Sequence, residues 1–408
     1  MAPKRTSNGE SKSGSAQKSQ TTTKSSRKIL ITAGEGQTGR LIIELLTTDD
    51  TYAGTYDELT ALVFSEQAKA VLEEFDTVKT IVYDPKDEEA LVQAMSLVDT
   101  CLLIPPARKD KANITRTLLS AAKAAKSVQN LILLSSAGAD YAEHATQPRL
   151  REFIDLEVLA MQPKGDTSSG KTGHSPCVIR AGFYAENLLL YAKQAQGEGK
   201  LKLPIGEDHK FAPVALGDIA QIAAYVVTSE GPQGLADNVR GQVIVATGPQ
   251  LTAGPELAEA ASQALGAKME FESINEETAK KILNSEQGEE IDEGTPISHP
   301  SASESNVQYL TPPYRGPPAE REYLLEYYAL VRAGKTNYVA TTAMLAFFGH
   351  RGQEPTEFFK TYSAEFKPKK RRTTKNGGAE SAPTRVSGRG KGVAVAAKSA
   401  ADEEDIEM

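Results

Sequence analysis

Three glycines spaced for phosphate binding occur near the start of the chain, in the stretch ITAGEGQTGR at residues 31–40. They form the pattern GxGxxG between an apolar run, KILI, and a helical pattern, RLIIELL. Such glycines permit a tight turn, close approach of a pyrophosphate to the backbone, and close packing of helix on strand. The helix that follows offers backbone N–H groups to the phosphates. The predicted dinucleotide-binding residues of this turn are Gly34, Gly36, Gln37, Thr38 and Gly39.

The end of the second apolar run, in LVFSEQAK, bears on the choice between NAD and NADP. A carboxylate there would bind the ribose hydroxyls and an arginine would bind a 2′-phosphate, whereas Ser65 can bond to either group. Arg40 follows the third glycine, where it either favours a phosphate or lies on a solvated helix face. The cofactor predicted from these residues is NAD(P), with a slight lean to NADP.

Two further apolar runs end in candidate cofactor contacts. Asp84 ends the run IVYDP, where its carboxylate either meets the adenine edge or forms an Asp-Pro turn. Pro105 follows the next run, in LIPPAR, and is expected to shape the loop that lines the cofactor pocket. No histidine has a His or Cys partner at metal-ligand spacing, so no metal site is predicted. Cys101 and Cys177 are expected to be reduced core thiols.

The elements that would position these residues are short apolar strands alternating with helical patterns. The strands are predicted at KILIT, LTALVF, VKTIVY, TCLLIP, LILLSS, PCVIR and QVIVAT, with helical patterns at 38–47, 66–75, 87–96, 110–126, 149–161, 183–195 and 217–228. This alternation predicts an α/β fold with a Rossmann-type doubly wound parallel sheet. The helices GPELAEAASQALGA, ETAKKILN, AEREYLLEYYALVRAG and PTEFFKTYSAEF, with a short edge strand at KMEFESI, predict a smaller mixed α/β C-terminal subdomain.

Composition divides the chain into four regions. Residues 1–27 are Ser, Thr, Lys and Gly without an apolar period, which predicts a disordered basic tail. The dinucleotide-binding core is predicted at 28–180, followed at 181–366 by the remaining Rossmann elements and the C-terminal substrate or partner subdomain. Within it, the Glu-, Ser- and Pro-rich stretch 285–318 is expected to be a mobile insertion. Residues 367–408 should form a second disordered tail, basic and then acidic.

The net charge of −8 is unevenly distributed. Residues 1–28 carry seven basic residues and one acidic residue, and residues 367–408 carry ten and six, so the 338 residues between them hold a net charge of −18. Because phosphate contacts need a basic surface, the folded body is not expected to bind nucleic acid directly. The tails are candidates for contact with an import receptor or nucleic acid. The longest apolar runs contain Asp or Pro and are too short to span a bilayer, so no membrane association is expected.

Five stretches, in this order, resemble the NmrA-like branch of the atypical short-chain dehydrogenases: ILITAGEGQTGR, LLIPPA, LILLSSAGAD, CVIRAGFYAENLLLY and FAPVALGDIAQIAAYVV. The late stretch from Arg321 to Pro368 resembles the C-terminal subdomain of that family. The resemblance covers about residues 28–368 and implies an NAD(P)-binding fold. The family's turn reads TGxxGxxG, so Ala33 stands where its first glycine would be.

The resemblance also shows which catalytic groups are missing. Short-chain dehydrogenases use a tyrosine whose proton is made available by a lysine four residues on, and none of the fourteen tyrosines here has a lysine at that spacing. Many atypical members keep only a lysine four residues ahead of a glutamate. If Glu157 is that glutamate, Phe153 occupies the lysine position. No catalytic residue is therefore assigned.

Four polar residues near the expected cleft have no assigned chemistry. Ser135 and Ser136 end the fifth strand where the family has serine, and without a Tyr–Lys pair they are expected to line the pocket only. Tyr184 and Asn187, in GFYAEN, either face the cleft or serve helix packing and capping.

Two functions follow from the resemblance. The favoured one is a redox-sensing transcriptional regulator, which binds NAD(P) and controls a protein partner without turnover; the retained turn, the missing Tyr–Lys pair and the basic tails favour it. The alternative is an NAD(P)H-dependent oxidoreductase of a small quinone or carbonyl substrate, since hydride transfer to a good acceptor needs only positioning.

The cluster KKRR at residues 369–372, directly after Pro368, predicts a nuclear import signal; the alternative is a solvated basic tail. We predict that the protein is shared between nucleus and cytoplasm. A fluorescent fusion with alanine at all four positions should lose its nuclear fraction. The prediction is wrong if both fusions distribute identically and the unaltered one stays outside the nucleus.

Overall fold

The computed structural model describes residues 26–72, 74–164, 174–285, 318–336 and 341–368, which belong to one compact unit. The predicted tails therefore lie mostly, and the predicted insertion almost entirely, outside the described residues, as do residues 369–372. Arg27, assigned to the N-terminal tail from composition, is buried and donates to the Thr100 hydroxyl (3.0 Å) and the Gly234 carbonyl (2.9 Å).

Nine strands are present among the described residues, and seven of them form one sheet. The nine are β1 (Lys28–Ile31), β2 (Glu58–Val63), β3 (Val78–Val82), β4 (Thr100–Leu103), β5 (Asn130–Ser136), β6 (Ser175–Ala181), β7 (Lys200–Leu203), β8 (Val243–Ala246) and β9 (Glu270–Ser273). The large sheet has the order β3-β2-β1-β4-β5-β6-β8, and every pair in it is parallel. This confirms the doubly wound parallel sheet predicted from the sequence.

Thirteen α-helices accompany the strands in the described part of the chain. They are α1 (Gln37–Thr48), α2 (Glu66–Leu72), α3 (Glu88–Met95), α4 (Lys111–Ala124), α5 (Pro148–Met161), α6 (Ala192–Glu198), α7 (Leu216–Thr228), α8 (Gly254–Leu265), α9 (Glu276–Ser285), α10 (Pro318–Arg332), α11 (Ala343–Phe348), α12 (Pro355–Thr361) and α13 (Ser363–Phe366). None of them is long and apolar enough to cross a bilayer. Helices α1 and α7 cover one face of the sheet, and α3, α4 and α5 cover the other.

The strand order reverses at the centre of the large sheet, where β1 lies between β2 and β4. The connections that leave β1 and β4 turn to opposite faces, which opens a crevice at the carboxyl ends of these two strands. The glycine turn follows β1, and the proline-rich loop follows β4. The fold therefore brings the two predicted cofactor-binding segments to one crevice.

A second, smaller sheet differs from the prediction. The segment KMEFESI does contain an edge strand, β9, and its parallel partner is β7. No strand was predicted at β7, because four residues of alternating Lys and Leu are too short to give a periodic signal. The predicted helix at 183–195 also begins differently, as a 3-10 segment at Ala185–Tyr191 that continues into α6.

The C-terminal helices form a hydrophobic cluster of their own. It packs aromatic rings of α10, α12 and α13 against the 3-10 segment and α8; its large buried members include Phe183, Tyr191, Leu257, Tyr328, Phe359 and Phe366. Helix α10 also contacts α5 of the Rossmann core. It therefore extends from the C-terminal cluster to the crevice.

The backbone of the glycine turn is unusual at Ala33. Its φ is +50°, the positive value expected where the family has glycine, and Ala33 is the non-glycine residue with positive φ in the described part of the chain. The left-handed conformation costs an L-residue about 1–2 kcal/mol. At Gly39, an added Cβ would lie 2.3 Å from the Ala33 carbonyl oxygen. The first turn of α1 thus packs directly against the backbone of the turn that follows β1.

Substitutions at Gly39 and Ala33 should change the free energy of unfolding in opposite directions. Gly39→Ala should lower the free energy of unfolding by about 2 kcal/mol, because α1 must move away from Ala33. Ala33→Gly should raise it by about 0.5 kcal/mol, since relief of the left-handed strain exceeds the added entropy of the unfolded chain. Urea unfolding of both variants checks this, and a stabilising Gly39→Ala or a destabilising Ala33→Gly would contradict it.

Candidate functional site

A cavity of about 200 Å³ lies at the carboxyl ends of β1, β4, β5 and β6. The glycine turn and the loop after β4 form one side, and the ends of β5 and β6 form the floor. Helix α10 forms the far wall with Glu320, Tyr323 and Leu324. One cavity therefore joins the predicted nucleotide-binding turn to the C-terminal part of the chain.

Five of the predicted cofactor-binding residues line this cavity: Gly36, Gln37, Thr38, Gly39 and Pro105. A Cβ added at Gly36 would meet only the Ala33 carbonyl oxygen, at 3.3 Å, so the α-carbon of Gly36 faces open space. Helix α1 begins at the next residue without a side-chain cap on its first N–H groups. An uncapped helix start behind a side-chain-free α-carbon fits a pyrophosphate.

The other four predicted residues lie outside the lining of the cavity. Gly34 packs beneath the turn, where an added Cβ would lie 3.0 Å from the Cβ of Ala61. Arg40 is buried and paired with Glu74, so it does not lie on a solvated helix face.

Ser65 and Asp84 make local backbone contacts. The Ser65 hydroxyl accepts from the Ala68 N–H (3.1 Å), which caps α2. Asp84 accepts from the Lys86 N–H (2.9 Å), as an Asp-Pro turn requires. Ser65 follows β2 and Asp84 follows β3, both in the nucleotide-binding half of the fold.

Two charged residues that were not predicted from the sequence, Glu35 and Arg108, lie near the end of β2. Glu35, inside the glycine turn, accepts from the Phe64 N–H (3.2 Å), and burial raises the pKa of its carboxyl group. The Arg108 guanidinium lies 5.0 Å from the centre of the Phe64 ring. Glu35 could have been considered from its place between two glycines, whereas Arg108 reaches β2 only through the fold.

Glu157 forms an ion pair with an arginine, Arg180. Arg180 donates to both of its carboxylate oxygens (2.9 and 2.7 Å), and Ser135 donates to one of them (2.5 Å). Arg180 also pairs with Asp140 at 3.0 Å. Side chains from α5, β5 and β6 are thus joined in one network under the cavity.

Tyr184 and Asn187 both line the cavity, so they face the cleft, which is the first of the two alternatives considered from the sequence. The Tyr184 hydroxyl is hydrogen-bonded to the Thr38 side chain, and burial raises the pKa of the phenol. This bond connects the segment after β6 to the glycine turn. Ser135 and Ser136 line the cavity as expected.

A tyrosine and a lysine meet at the cavity although no sequence spacing joins them. The Tyr323 hydroxyl donates to the Ser136 hydroxyl, and the Lys111 ammonium lies 4.3 Å from the centre of the Tyr323 ring. Lys111 is 7% exposed and pairs with Glu320 at 3.5 Å. The sequence gives no local signal for this group, because Tyr323 and Ser136 are 187 positions apart.

Known proteins resemble this chain in sequence and in structure. The NAD(P)H azoreductase of Xenophilus azovorans is 26% identical over 255 residues, which are 62% of this chain and 80% of the relative. A structure of an NADPH-dependent quinone oxidoreductase from Escherichia coli, complexed with NADPH, has a TM-score of 0.60 at 21% identity, covering 82% of this chain and 99% of its own.

The structure of NmrA, a negative transcriptional regulator, in complex with NADP, has a TM-score of 0.58 at 13% identity and covers 82% of this chain and 94% of its own. At these identities the two structures establish the fold. The sequence profile of the NmrA-like family matches residues 25–302, more than half of the chain, and this confirms the resemblance found from the motifs. The chain belongs to the NmrA-like family.

Proposed function

We propose that the chain is an NAD(P)H-dependent oxidoreductase of a small quinone, azo or carbonyl compound. The observation that carries the proposal is the extent of the cavity. It continues from Gly36 past the ends of β5 and β6 to Tyr323, so its walls include residues beyond those that a nucleotide-binding turn requires. The nicotinamide end of the dinucleotide and a small substrate would lie in that second part.

The lining of the cavity supports this class of substrate. Apolar side chains form much of the lining, among them Ile104, Phe153, Leu190 and Leu324. Flat, weakly polar acceptors suit such walls, with hydroxyl groups at a few points to fix their orientation. The names of the azoreductase and of the quinone oxidoreductase agree with acceptors of this kind.

The chain's own residues would hold the dinucleotide at the glycine turn. Gly36 leaves room for the pyrophosphate, the start of α1 offers N–H groups, and Thr38 is oriented by Tyr184. When bound in its reduced form, the dinucleotide supplies a hydride. The slight lean to NADP is part of the proposal: Arg108 at the end of β2 and the NADP(H) complexes of the two similar structures support it, while the Glu35 carboxylate opposes it.

A redox-sensing regulator that acts through a protein partner is the second proposal. An acidic body between basic tails favours it, as does the description of NmrA as a negative transcriptional regulator. The two functions make different demands on the same cavity. A sensor needs affinity alone, whereas a reductase must also transfer a hydride.

Gly36→Val should abolish dinucleotide binding while the fold is retained. The new side chain would occupy the space that we assign to the pyrophosphate and would meet no neighbouring side chain. Calorimetry with NADH and NADPH measures the loss. Gly197→Val is the matched control, since Gly197 is exposed on α6 and a Cβ there meets nothing within 4 Å. A folded Gly36→Val variant with unchanged affinity would contradict the assignment.

Turnover separates the two proposals. We expect purified protein to oxidise NADPH or NADH with a quinone and with an azo dye at rates on the order of 1 s⁻¹ or more, and with simple ketones more slowly. Loss of the reduced dinucleotide's absorbance measures the rate, and the Gly36→Val variant gives the background. Tight binding without oxidation by any of these acceptors would overturn the reductase and favour the regulator.

A further inference from the structure

Helix α4 brings a positive charge to the place where the family's lysine is missing. Phe153 lines the cavity and stands at that lysine position if Glu157 is the family's glutamate. The Lys111 ammonium lies 5.1 Å from the centre of the Phe153 ring and 4.3 Å from the centre of the Tyr323 ring. A cation over an aromatic face is attracted by the electrons of the ring, and burial strengthens the attraction.

Helix α10 brings a phenol to the same place. The Tyr323 ring meets the edge of Phe153 with centroids 5.8 Å apart, and its hydroxyl donates to Ser136 at the end of β5. Ser136 in turn donates to the Ala137 carbonyl at 3.2 Å. Burial raises the pKa of the Tyr323 phenol well above its ordinary value, so the proton stays on the oxygen throughout the physiological range.

We propose that Tyr323 is the proton donor of the reduction, with Lys111 and Ser136 as its positioning residues. The inference rests on the proposed function and adds a catalytic group to it. It concerns α10, which begins at Pro318 and lies beyond the residues 25–302 that match the family profile. The donor therefore lies in the C-terminal part of the chain, outside the residues that the family profile matches.

The step balances for an azo acceptor. The bound dinucleotide would supply a hydride, with its dihydronicotinamide C–H bond breaking and the ring being oxidised by two electrons. The hydride would form an N–H bond at one azo nitrogen, and the electron pair of the N=N π bond would move to the other nitrogen. That nitrogen takes the proton as the O–H bond of Tyr323 breaks, which leaves a hydrazo compound and a tyrosinate. The Lys111 ammonium and the Ser136 hydroxyl, turned to donate, stabilise the tyrosinate until water restores its proton.

The need for this proton depends on the acceptor. A nitrogen anion left by hydride addition to an azo bond is far more basic than a phenolate, so it must be protonated as it forms. Hydride addition to a quinone leaves a phenolate, and a phenol of ordinary pKa of about 10 is a stronger acid than Tyr323, whose pKa is raised. Quinone reduction should therefore proceed without the Tyr323 proton.

The test is Tyr323→Phe, with Tyr328→Phe as the matched control on the same helix. The first variant keeps the ring against Lys111 and Phe153 and removes the hydroxyl; the second removes a buried hydroxyl from the C-terminal cluster. In Tyr323→Phe we expect kcat for an azo dye to fall on the order of 100-fold, with kcat for a quinone nearly unchanged. The solvent deuterium isotope effect on azo reduction should be present in the unaltered protein and in Tyr328→Phe.

An equilibrium measurement accompanies the rates. With the protein saturated by oxidised dinucleotide, an unreactive aromatic ketone should bind roughly fivefold more weakly to Tyr323→Phe, which lacks the donor to its carbonyl oxygen. The dinucleotide itself should bind with unchanged affinity. Lys111→Met should lower azo turnover, and Lys111→Arg should restore part of it, because the charge returns while the stem length is similar.

The outcomes separate the two claims. Absence of turnover by the unaltered protein with every acceptor overturns the reductase and the proton donor together. Turnover in which Tyr323→Phe changes nothing, or slows quinone and azo reduction equally with the ketone affinity unchanged, overturns the role of Tyr323 and leaves the reductase standing.

Discussion

The crevice between β1 and β4 depends on a single steric constraint, the contact of α1 with the backbone of the turn that follows β1. Gly39 has no room for a Cβ, because the Ala33 carbonyl oxygen would lie 2.3 Å away. With α1 this close, its first N–H groups face the cavity, and Thr38 comes within reach of Tyr184. Ala33, whose carbonyl oxygen makes this contact, has a positive φ of +50°, a strained conformation that the surrounding structure must hold in place.

Features that depend on residues close together in the sequence could be predicted, whereas contacts between distant segments could not. Strands, helices and the glycine turn are encoded by patterns of about ten residues. Of the turn residues that line the cavity, Gly36, Gln37, Thr38 and Gly39 were predicted from that pattern as cofactor contacts, and Ala33 was not. The contacts that the sequence could not predict join distant segments. Arg108 reaches the end of β2, Lys111 reaches Phe153, and Tyr323 reaches Ser136 only after the chain has folded.

The tyrosine and the lysine at the cavity illustrate the same limit of prediction from sequence. A lysine four residues after a tyrosine is a property of one helix, and no helix here has it. The structure joins the two residue types across α4 and α10 instead, with the ammonium over the ring. Absence of a motif in the sequence is therefore weak ground for assigning a binding function to this fold, because geometry and not spacing defines a catalytic group.

Two buried charged groups near the cavity, Glu157 and Lys111, differ in how firmly they are held. Arg180 and Ser135 satisfy Glu157, and this network ties α5 to β5 and β6 under the cavity floor. Lys111 is bound more loosely, by Glu320 at 3.5 Å and by two aromatic faces. A fully hydrogen-bonded ion pair is rigid and costly to disturb, whereas an ammonium held by ring faces can follow a charge that develops on the ring. If the Rossmann core supplies the nucleotide turn and α10 supplies the group that meets the substrate, changes in the C-terminal part can alter the chemistry while the core is kept.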